Sequence, residues 1–273
     1  HHRKGYQIPE AGRTARGTAI VNVLPLEPGE SVTAMVITRE FDDNEFLMMV
    51  TRNGTVKRIP FISLKTNRKG GIRAITLDED DVLVNVMRTN GNDNILLATA
   101  QGMAICFNET DVRCTGREAA GVRGILLEGG DYVVGAQRAE EGKTLLTVTQ
   151  NGYGKRTELP EYLRLGPDGE KIPQSRGGKG LKNYNITPKT GLVAGCCVVG
   201  ETDDVMLIEN GGVIIRVPAS SINVYKRSVQ GVIVMRMKEE GDRVIAMALA
   251  EKEPEETETS TDTAEIVENS VES

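Results

Sequence analysis

The sequence has little of what enzymes commonly place in their active sites. It contains no tryptophan, and its only histidines are His1 and His2 at the very start. A serine or cysteine nucleophile inside the chain would therefore have no histidine base. No apolar run reaches the 18 residues that a membrane-spanning helix requires, so we predict no membrane partner. These absences exclude a Ser/His/Asp or Cys/His hydrolase.

The four cysteines do not indicate a metal site or a disulfide framework. Cys106, Cys114, Cys196 and Cys197 have no metal-ligand spacing, and the adjacent pair cannot chelate as a CxxC motif does. We interpret them as buried, reduced thiols. Acidic pairs such as those in residues 78–81 fall in turns and are interpreted as solvated loop acids. We therefore predict a chain with no catalytic residue and no cofactor of its own.

What the sequence does have is an internal repeat of about 50 residues. Hydrophobic runs lead to basic turns that end in glycine, with spacings of 54, 50, 59 and 51. These glycines are Gly17, Gly71, Gly121, Gly180 and Gly231. A second series lies in tight turns before basic strands, at Gly54, Gly102, Gly152 and Gly212. Repeats of this length predict a propeller or array.

Each repeat reads as four short strands. In the second unit we predict strands over 46–51, 55–60, 72–77 and 82–89, with Asn53-Gly54 as the hairpin turn between the first two. Windows of 11 to 18 residues show no helical periodicity. Because four-stranded units of this size cannot each close a core, they must pack side by side. The predicted fold is all-β: a β-pinwheel, that is, a propeller-like disc of four-stranded blades with about five repeats.

The repeats divide the chain into a disc and a tail. We predict units at roughly 1–45, 46–94, 95–144, 145–204 and 205–250, followed by a tail at 251–273, with residues 165–173 as a loop insertion in the fourth unit. The first unit is incomplete. His1-His2 corresponds to the second strand of a blade, so we expect at least half a blade upstream. The alternative is that the two histidines are the remnant of an affinity tag.

The charge is distributed unevenly between disc and tail. The chain carries −6 in total, and residues 251–273 hold nine acids against one lysine, which leaves about +2 for the disc. The tail has no aromatic residue and too little apolar surface to fold, so we predict disorder. Its role is either to keep the chain soluble or to compete with a polyanion for the basic residues of the disc.

Those basic residues recur in register with the repeat. One band follows the hairpin glycines, as Lys57-Arg58 and Lys155-Arg156, with Arg216 at the equivalent place in the last unit. A second band surrounds the other glycine turn, at Arg13, Arg16, Arg68, Lys69, Arg73, Arg117, Arg123, Arg176, Lys179, Lys182, Lys226 and Arg227. A positive rim suits the phosphate backbone of a bent duplex, where counterion release favours binding that does not depend on base sequence. No element suited to reading bases is evident.

The most specific short motif is QSRGGKG at residues 174–180. Its glycines allow the backbone to approach a phosphate closely, while Arg176 and Lys179 add charge on either side of Gly177-Gly178. Composition indicates a polyanion cradle. A Walker A loop is excluded, because no Lys-Ser/Thr pair follows a G-x-x-x-x-G spacing. The alternative is a flexible, glycine-rich connection between blades.

Residues 1 to about 250 resemble the C-terminal domain of the bacterial DNA gyrase A subunit, a β-pinwheel that wraps DNA. The resemblance depends on IPEAGR at 8–13, VNVLPL at 21–26, GIRAI at 71–75, GVRGI at 121–125, NGYGKRT at 151–157 and QSRGGKG at 174–180. The last run matches the family's gyrase box except at Ser175, where the family has arginine. The box belongs to the first blade of the family, whereas this copy lies in the fourth of five units.

The resemblance implies a role in a type II topoisomerase. It implies that this domain wraps double-stranded DNA and gives direction to ATP-dependent negative supercoiling. It also implies partners in the rest of the gyrase A subunit and in the gyrase B subunit, within a bacterial cytoplasmic heterotetramer whose other parts hold ATP, Mg²⁺ and the nucleophilic tyrosine. The DNA-binding residues expected are Lys57, Arg58, Arg68, Lys69, Arg73, Arg117, Arg123, Lys155, Arg156, Gln174, Arg176, Gly177, Gly178, Lys179, Gly180, Lys182, Lys226 and Arg227.

Two alternatives remain open. The related C-terminal domain of topoisomerase IV shares the pinwheel but has a degenerate or absent box, and the run GGKG at 177–180 favours gyrase. A protein-interaction propeller of the WD40, kelch or RCC1-like kind is disfavoured because the chain has no tryptophan and no kelch signature.

Overall fold

The computed structural model describes residues 1–12, 14–68 and 70–250. Within these residues there is no α-helix, and short 3-10 turns are the only helical elements. These turns are Gly5–Gln7, Ile20–Asn22, Phe61–Leu64, Glu109–Asp111, Leu159–Tyr162 and Ala219–Ser221. The prediction of an all-β, propeller-like fold is confirmed. Arg13, Lys69 and the acidic tail at 251–273 lie outside the described residues.

Each blade is built on a β-hairpin with a glycine in its turn. The hairpins are β1 (Phe46–Thr51) with β2 (Thr55–Pro60), β4 (Asn94–Thr99) with β5 (Met103–Asn108), β8 (Thr144–Thr149) with β9 (Tyr153–Glu158), and β14 (Asp204–Glu209) with β15 (Ile214–Pro218). The turn glycines Gly54, Gly102, Gly152 and Gly212 all have positive φ. The glycine turns therefore predicted the four hairpins correctly.

A third strand of each unit pairs with the first strand of its own hairpin. These inner strands are β3 (Leu83–Thr89), β7 (Val133–Arg138), β13 (Val193–Val199) and β17 (Val244–Ala250). Each inner strand contacts the next, β3 with β7, β7 with β13 and β13 with β17. The four blades therefore stand side by side with their inner strands adjacent.

The outermost strand of a blade comes from the following unit. Short strands β6 (Val122–Arg123), β12 (Leu181–Lys182) and β16 (Val232–Ile233) pair with β2, β5 and β9. The prediction that all four strands of a blade lie within one unit is therefore wrong. Residues 72–77 form no strand for the same reason, because their partner would be in the first unit. We call the resulting sheets blade 1 (β1, β2, β3, β6), blade 2 (β4, β5, β7, β12), blade 3 (β8, β9, β13, β16) and blade 4 (β14, β15, β17).

The first unit contains no strand among residues 1–12 and 14–45. The predicted second strand of a blade is therefore not observed there. His2 nevertheless contacts the next unit, with its Nδ1 3.3 Å from the carbonyl oxygen of Thr66. The predicted insertion at 165–173 forms most of a small hairpin of β10 (Arg164–Leu165) and β11 (Lys171–Ile172).

Hydrophobic residues fill the spaces between blades. In β4, Ile95 and Leu97 pack toward blade 1, while Leu96 and Ala98 pack toward blade 3. A blade between two others thus buries both faces, which explains why its first strand is a continuous apolar run. In blade 4 the strand β14 alternates between buried and half-buried residues, because only one face is covered by described residues.

Candidate nucleic-acid interface

Three segments cross from one blade to the outer edge of the preceding blade, and we call them straps. Strap A comprises residues 113–123 on blade 1, strap B residues 174–182 on blade 2, and strap C residues 223–233 on blade 3. Each begins with a backbone hydrogen bond to the second hairpin strand: Thr115 N donates to Arg58 O, Gln174 N to Cys106 O and Tyr225 N to Arg156 O. Each then ends with the short outer strand, β6, β12 or β16. The straps are therefore the parts of the sheets farthest from the inner strands.

The straps and the equivalent segment 65–73 carry almost only positive charge. Together they contain twelve Lys and Arg residues and one acid, Glu118. The exposed basic side chains among them are Lys65, Arg68, Arg73, Arg113, Arg123, Lys179, Lys182 and Lys226, and the half-buried ones are Arg117, Arg176 and Arg227. Of the predicted second band, only Arg13 and Lys69 lie outside the described residues. The result is a row of cations along the outer edge of the blades.

Most of the first predicted basic band is buried. Lys57, Arg58, Lys155 and Arg156 are at most 8% exposed, so the expectation that they form a rim is wrong. In a strand with one solvated face, buried and exposed residues alternate. That alternation is absent here, because the strap of the next unit covers these residues. The equivalent Arg216 is exposed and pairs with Asp204 at 2.7 Å, since no strap covers blade 4 among the described residues.

The two buried arginines hold neighbouring units together. Arg58 contacts the buried carboxylate of Glu109 at 3.3 Å, and that carboxylate also accepts hydrogen bonds from Thr89 Oγ1 and from the backbone of Gly91 and Asp93. Arg156 donates to Glu201 Oε1 at 2.7 Å and, through Nε, to the carbonyl oxygen of Ile222 at 2.6 Å. Both side chains have a structural role, with their charge already paired.

The two buried lysines contact backbone carbonyl oxygens of the straps. Lys57 Nζ donates to Ala74 O at 3.0 Å and to Arg117 O at 2.6 Å. Lys155 Nζ donates to Lys226 O at 2.7 Å and also to Arg227 O. Burial lowers the pKa of both ammonium groups, and that of Lys155 falls to about 7.

The glycine-rich motif at 174–180 is strap B. The guanidinium of Arg176 donates to the carbonyl oxygens of Asp111 and Arg123, so it is occupied by the protein backbone. The N–H of Gly177 donates to Gly124 O at 2.8 Å, which also removes it from a phosphate cradle. The motif therefore connects blades 1 and 2, as the alternative interpretation held, rather than forming a cradle with these groups.

Gly178 and Lys179 of the motif are accessible to a ligand, whereas Gly180 and Gln174 have structural contacts. Lys179 is exposed and pairs with Glu128 at 2.7 Å, both side chains being about 60% exposed. Gly178 is also exposed. Gly180 adopts φ +75° where a side chain would collide with the backbone carbonyl of Ala104, so this glycine is needed for the close approach of the strap to β5. Gln174 is half-buried and donates to Tyr162 O at 2.9 Å.

Two exposed cations of the same segments were missed in the sequence. Lys65 and Arg113 lie at the beginning of segment 65–73 and of strap A. They stand six and eight residues before their glycines, farther than the residues chosen for the second band. The extent of the straps, which only the structure defines, would have included them.

The acidic turns lie beside the hairpin turns and have structural roles. Asp81 Oδ1 accepts hydrogen bonds from Asn53 N and Val82 N, both at 2.9 Å, and Asp131 Oδ1 makes the equivalent pair with Gln101 N and Tyr132 N. Asp81 is only 7% exposed, so the interpretation of this residue as a solvated acid is wrong. In the part of the chain that the structure describes, no cluster of three His, Cys, Asp or Glu residues could hold a metal.

Comparison with known proteins identifies the family. The sequence profile of the DNA gyrase C-terminal domain, beta-propeller, matches residues 4–39, 45–90, 93–140, 143–196 and 203–251. This chain belongs to that family. It is 43% identical over 253 residues to the DNA gyrase A subunit of Clostridium acetobutylicum, covering 93% of this chain and 29% of that protein. It is 39% identical over 259 residues to the DNA gyrase A subunit of Escherichia coli, covering 95% of this chain and 29% of that protein.

Solved structures give the same fold. The C-terminal domain of DNA topoisomerase IV superposes with a TM-score of 0.80 at 28% identity, covering 90% of this chain and 74% of that one. The DNA gyrase A C-terminal domain superposes with a TM-score of 0.73 at 23% identity, covering 86% and 75%. The chain spans less than a third of the length of the gyrase subunits that it matches. Among the described residues, no helix is long and apolar enough to cross a membrane.

Proposed function

We propose that this domain binds duplex DNA without sequence preference and wraps or bends it along the straps. The observation that carries the proposal is the charge of the outer edge: the described residues of the straps and of segment 65–73 include eleven Lys and Arg and one acid, Glu118. Each phosphate that a Lys or Arg neutralises releases counterions, which favours binding whatever the bases are. The described residues contain no α-helix that could enter a major groove, so base readout has no obvious element here.

The cations are spread over several blades, and this distribution suits a bent duplex. Bending a site of 20 to 30 base pairs costs roughly 1 to 6 kcal/mol, and extra phosphate contacts along the bend must offset that cost. Lys65, Arg73, Arg123, Lys182 and Lys226 are exposed on four successive segments, so the contacts can continue from blade to blade. Each contributes modestly, and none acts in catalysis.

In the larger protein, we propose that this bending gives direction to ATP-dependent negative supercoiling by a type II topoisomerase. The partners would be the rest of the gyrase A subunit and the gyrase B subunit, joined in a heterotetramer in the bacterial cytoplasm at the nucleoid. ATP and Mg²⁺ would be bound by those other parts. A second candidate is the corresponding domain of topoisomerase IV, favoured by the TM-score of 0.80 to such a domain. Both candidates use the same basic outer edge to bind DNA.

The proposal is tested by measuring duplex binding of the 273-residue chain as a function of salt. If about six of the cations meet phosphates, log K falls with log [salt] with a slope of about −5. Duplexes of unrelated sequence should bind within a small factor of one another. Weak binding that does not change with salt would contradict the proposal and support a protein-interaction propeller.

A further inference from the structure

Lys57 and Lys155 occupy one register of the repeat, the third residue after the hairpin glycine. Both are at most 1% exposed, and both ammonium groups contact carbonyl oxygens of a strap. Lys57 reaches Arg117 O in strap A, and Lys155 reaches Lys226 O and Arg227 O in strap C. Lys226 is exposed and Arg117 is half-buried, so the lysine holds the backbone while these two side chains stay accessible. Arg227 is half-buried and donates to Lys182 O at 3.0 Å.

The fold does not require a cation at this register. The equivalent residues are Ile105 in blade 2 and Ile215 in blade 4, paired with Leu97 and Leu207 as Lys57 is paired with Met49. Removing an ammonium group from water is unfavourable, and burial lowers the pKa of both lysines accordingly. An aliphatic residue would fill the same space without that cost, so the two lysines have a purpose other than packing.

Blade 2 shows what happens without the lysine. With Ile105 at this register, strap B is held by its own Arg176, whose guanidinium donates to Asp111 O and Arg123 O. The arginine is then occupied and half-buried. In strap C, Arg227 makes the equivalent bond, to Lys182 O at 3.0 Å, and Lys155 adds further cation–carbonyl contacts from the covered side of the strap. Strap B lacks these additional contacts, although its Lys179 and Lys182 are exposed.

We propose that Lys57 and Lys155 are positioning residues, which fix the backbones of straps A and C so that the basic side chains of these straps face the DNA. The contact with DNA rests on the proposed function, whereas the fixing of the straps does not. Each lysine acts on one strap, since their carbonyl partners in the straps are different residues.

The strap contacts are tested first without DNA, by limited trypsin digestion of the 273-residue chain. Trypsin cleaves at the carbonyl of Lys or Arg, and the carbonyls of Arg117, Lys226 and Arg227 are the ones that the lysines hold. Lys57→Met keeps the volume of the side chain and should raise the cleavage rate after Arg117 severalfold, with no change after Arg227. Lys155→Met should raise the cleavage rate after Arg227 severalfold, with no change after Arg117.

The matched control is Ile105→Met, which changes the same register without removing a cation and should alter neither rate. Melting curves of the three variants establish that each is folded. Equal cleavage of strap A in Lys57→Met and wild type, both folded, would overturn the proposal. So would a general rise in cleavage at all straps, because it would show loss of stability rather than loss of a local contact.

A double-mutant cycle on DNA affinity then separates positioning from simple charge. If Lys57 acts through strap A, Lys57→Met and Arg117→Ala weaken binding by similar factors, and the double variant is little weaker than either. The factors by which Lys155→Met and Arg117→Ala weaken binding should multiply in the double variant, because these residues act on different straps. Multiplicative effects in both pairs would overturn the proposal. If the wild type does not bind DNA, the proposed function fails, and the digestion still decides whether the lysines fix the straps.

Discussion

Arg58 and Arg123 lie in paired strands of one sheet, and the structure predicts opposite consequences for their loss. Arg58, on β2, is buried against Glu109, whereas Arg123, on β6, is exposed. Arg58→Ala leaves the Glu109 carboxylate, which is 0% exposed, without its cation. Breaking a buried ion pair in this way costs about 3 to 5 kcal/mol of unfolding free energy. For a domain of this size, the melting temperature should fall by roughly 6 to 20 °C.

Arg123→Ala should leave the melting temperature unchanged and weaken DNA binding. A phosphate contact contributes about 0.9 to the salt slope, which at physiological salt corresponds to about 1 kcal/mol, or roughly fivefold in Kd. The slope of log K against log [salt] should therefore become less steep by about one. The loss should be the same for duplexes of unrelated sequence.

Circular dichroism melts and fluorescence anisotropy with a labelled duplex, on the same preparations, measure both effects. Binding is compared below the unfolding transition of Arg58→Ala, where that variant should bind nearly as well as the wild type. Loss of affinity and salt dependence in folded Arg58→Ala, with an unchanged melting temperature, would contradict the structural role of Arg58. A wild-type slope in Arg123→Ala would contradict the assignment of Arg123 to the DNA-binding surface.

Three further predictions concern the electrostatics and packing of the straps. Glu128→Gln removes the partner of exposed Lys179 and should tighten DNA binding by up to about fivefold in anisotropy titrations, which is the scale of a surface ion pair. Lys179→Ala should weaken binding. Equal changes of Kd in the two variants would contradict the role given to this lysine. Because burial lowers the pKa of Lys155 to about 7, the unfolded chain holds a proton above that pH that the folded chain lacks. The free energy of unfolding should thus rise between pH 7 and 8.5 by at most about 1.4 kcal/mol per pH unit, and denaturant melts should show this increment smaller in Lys155→Met. Gly180→Ala introduces a methyl group against the carbonyl of Ala104 at positive φ and should lower the melting temperature, whereas the open turn at Gly169 should tolerate alanine better despite its positive φ.

The sequence predicted the hairpins well, because their signals are local. Asn53-Gly54 and the apolar runs on either side of it give β1 and β2 with the predicted bounds. Residues 72–77 were predicted as a strand and form none, because an outer strand depends on the hairpin of the preceding unit. Local strand propensity does not show which unit an outer strand will pair with.

Of the two predicted basic bands, one is exposed as expected and the other is largely buried. The band around the glycine turns at Gly71 and Gly121 is exposed, as at Arg73 and Arg123. Lys57 and Arg58 are buried, because the strap of the following unit covers their strand, and a charged pair in a strand ordinarily indicates a solvated face. The sequence also did not show that Arg176 is occupied by backbone carbonyls, since that depends on how strap B crosses between two blades.

The proposed wrapping of DNA along the straps is tested most directly by the topology of closed circles, because a handed wrap changes the linking number whereas a planar bend does not. Relaxed, nicked circles are ligated in the presence of increasing amounts of the 273-residue chain, the protein is removed, and the linking number is read from the distribution of topoisomers. We expect a shift that grows with bound protein, decreases with salt and is reduced in Arg123→Ala. Saturating binding with an unchanged distribution of topoisomers would contradict it.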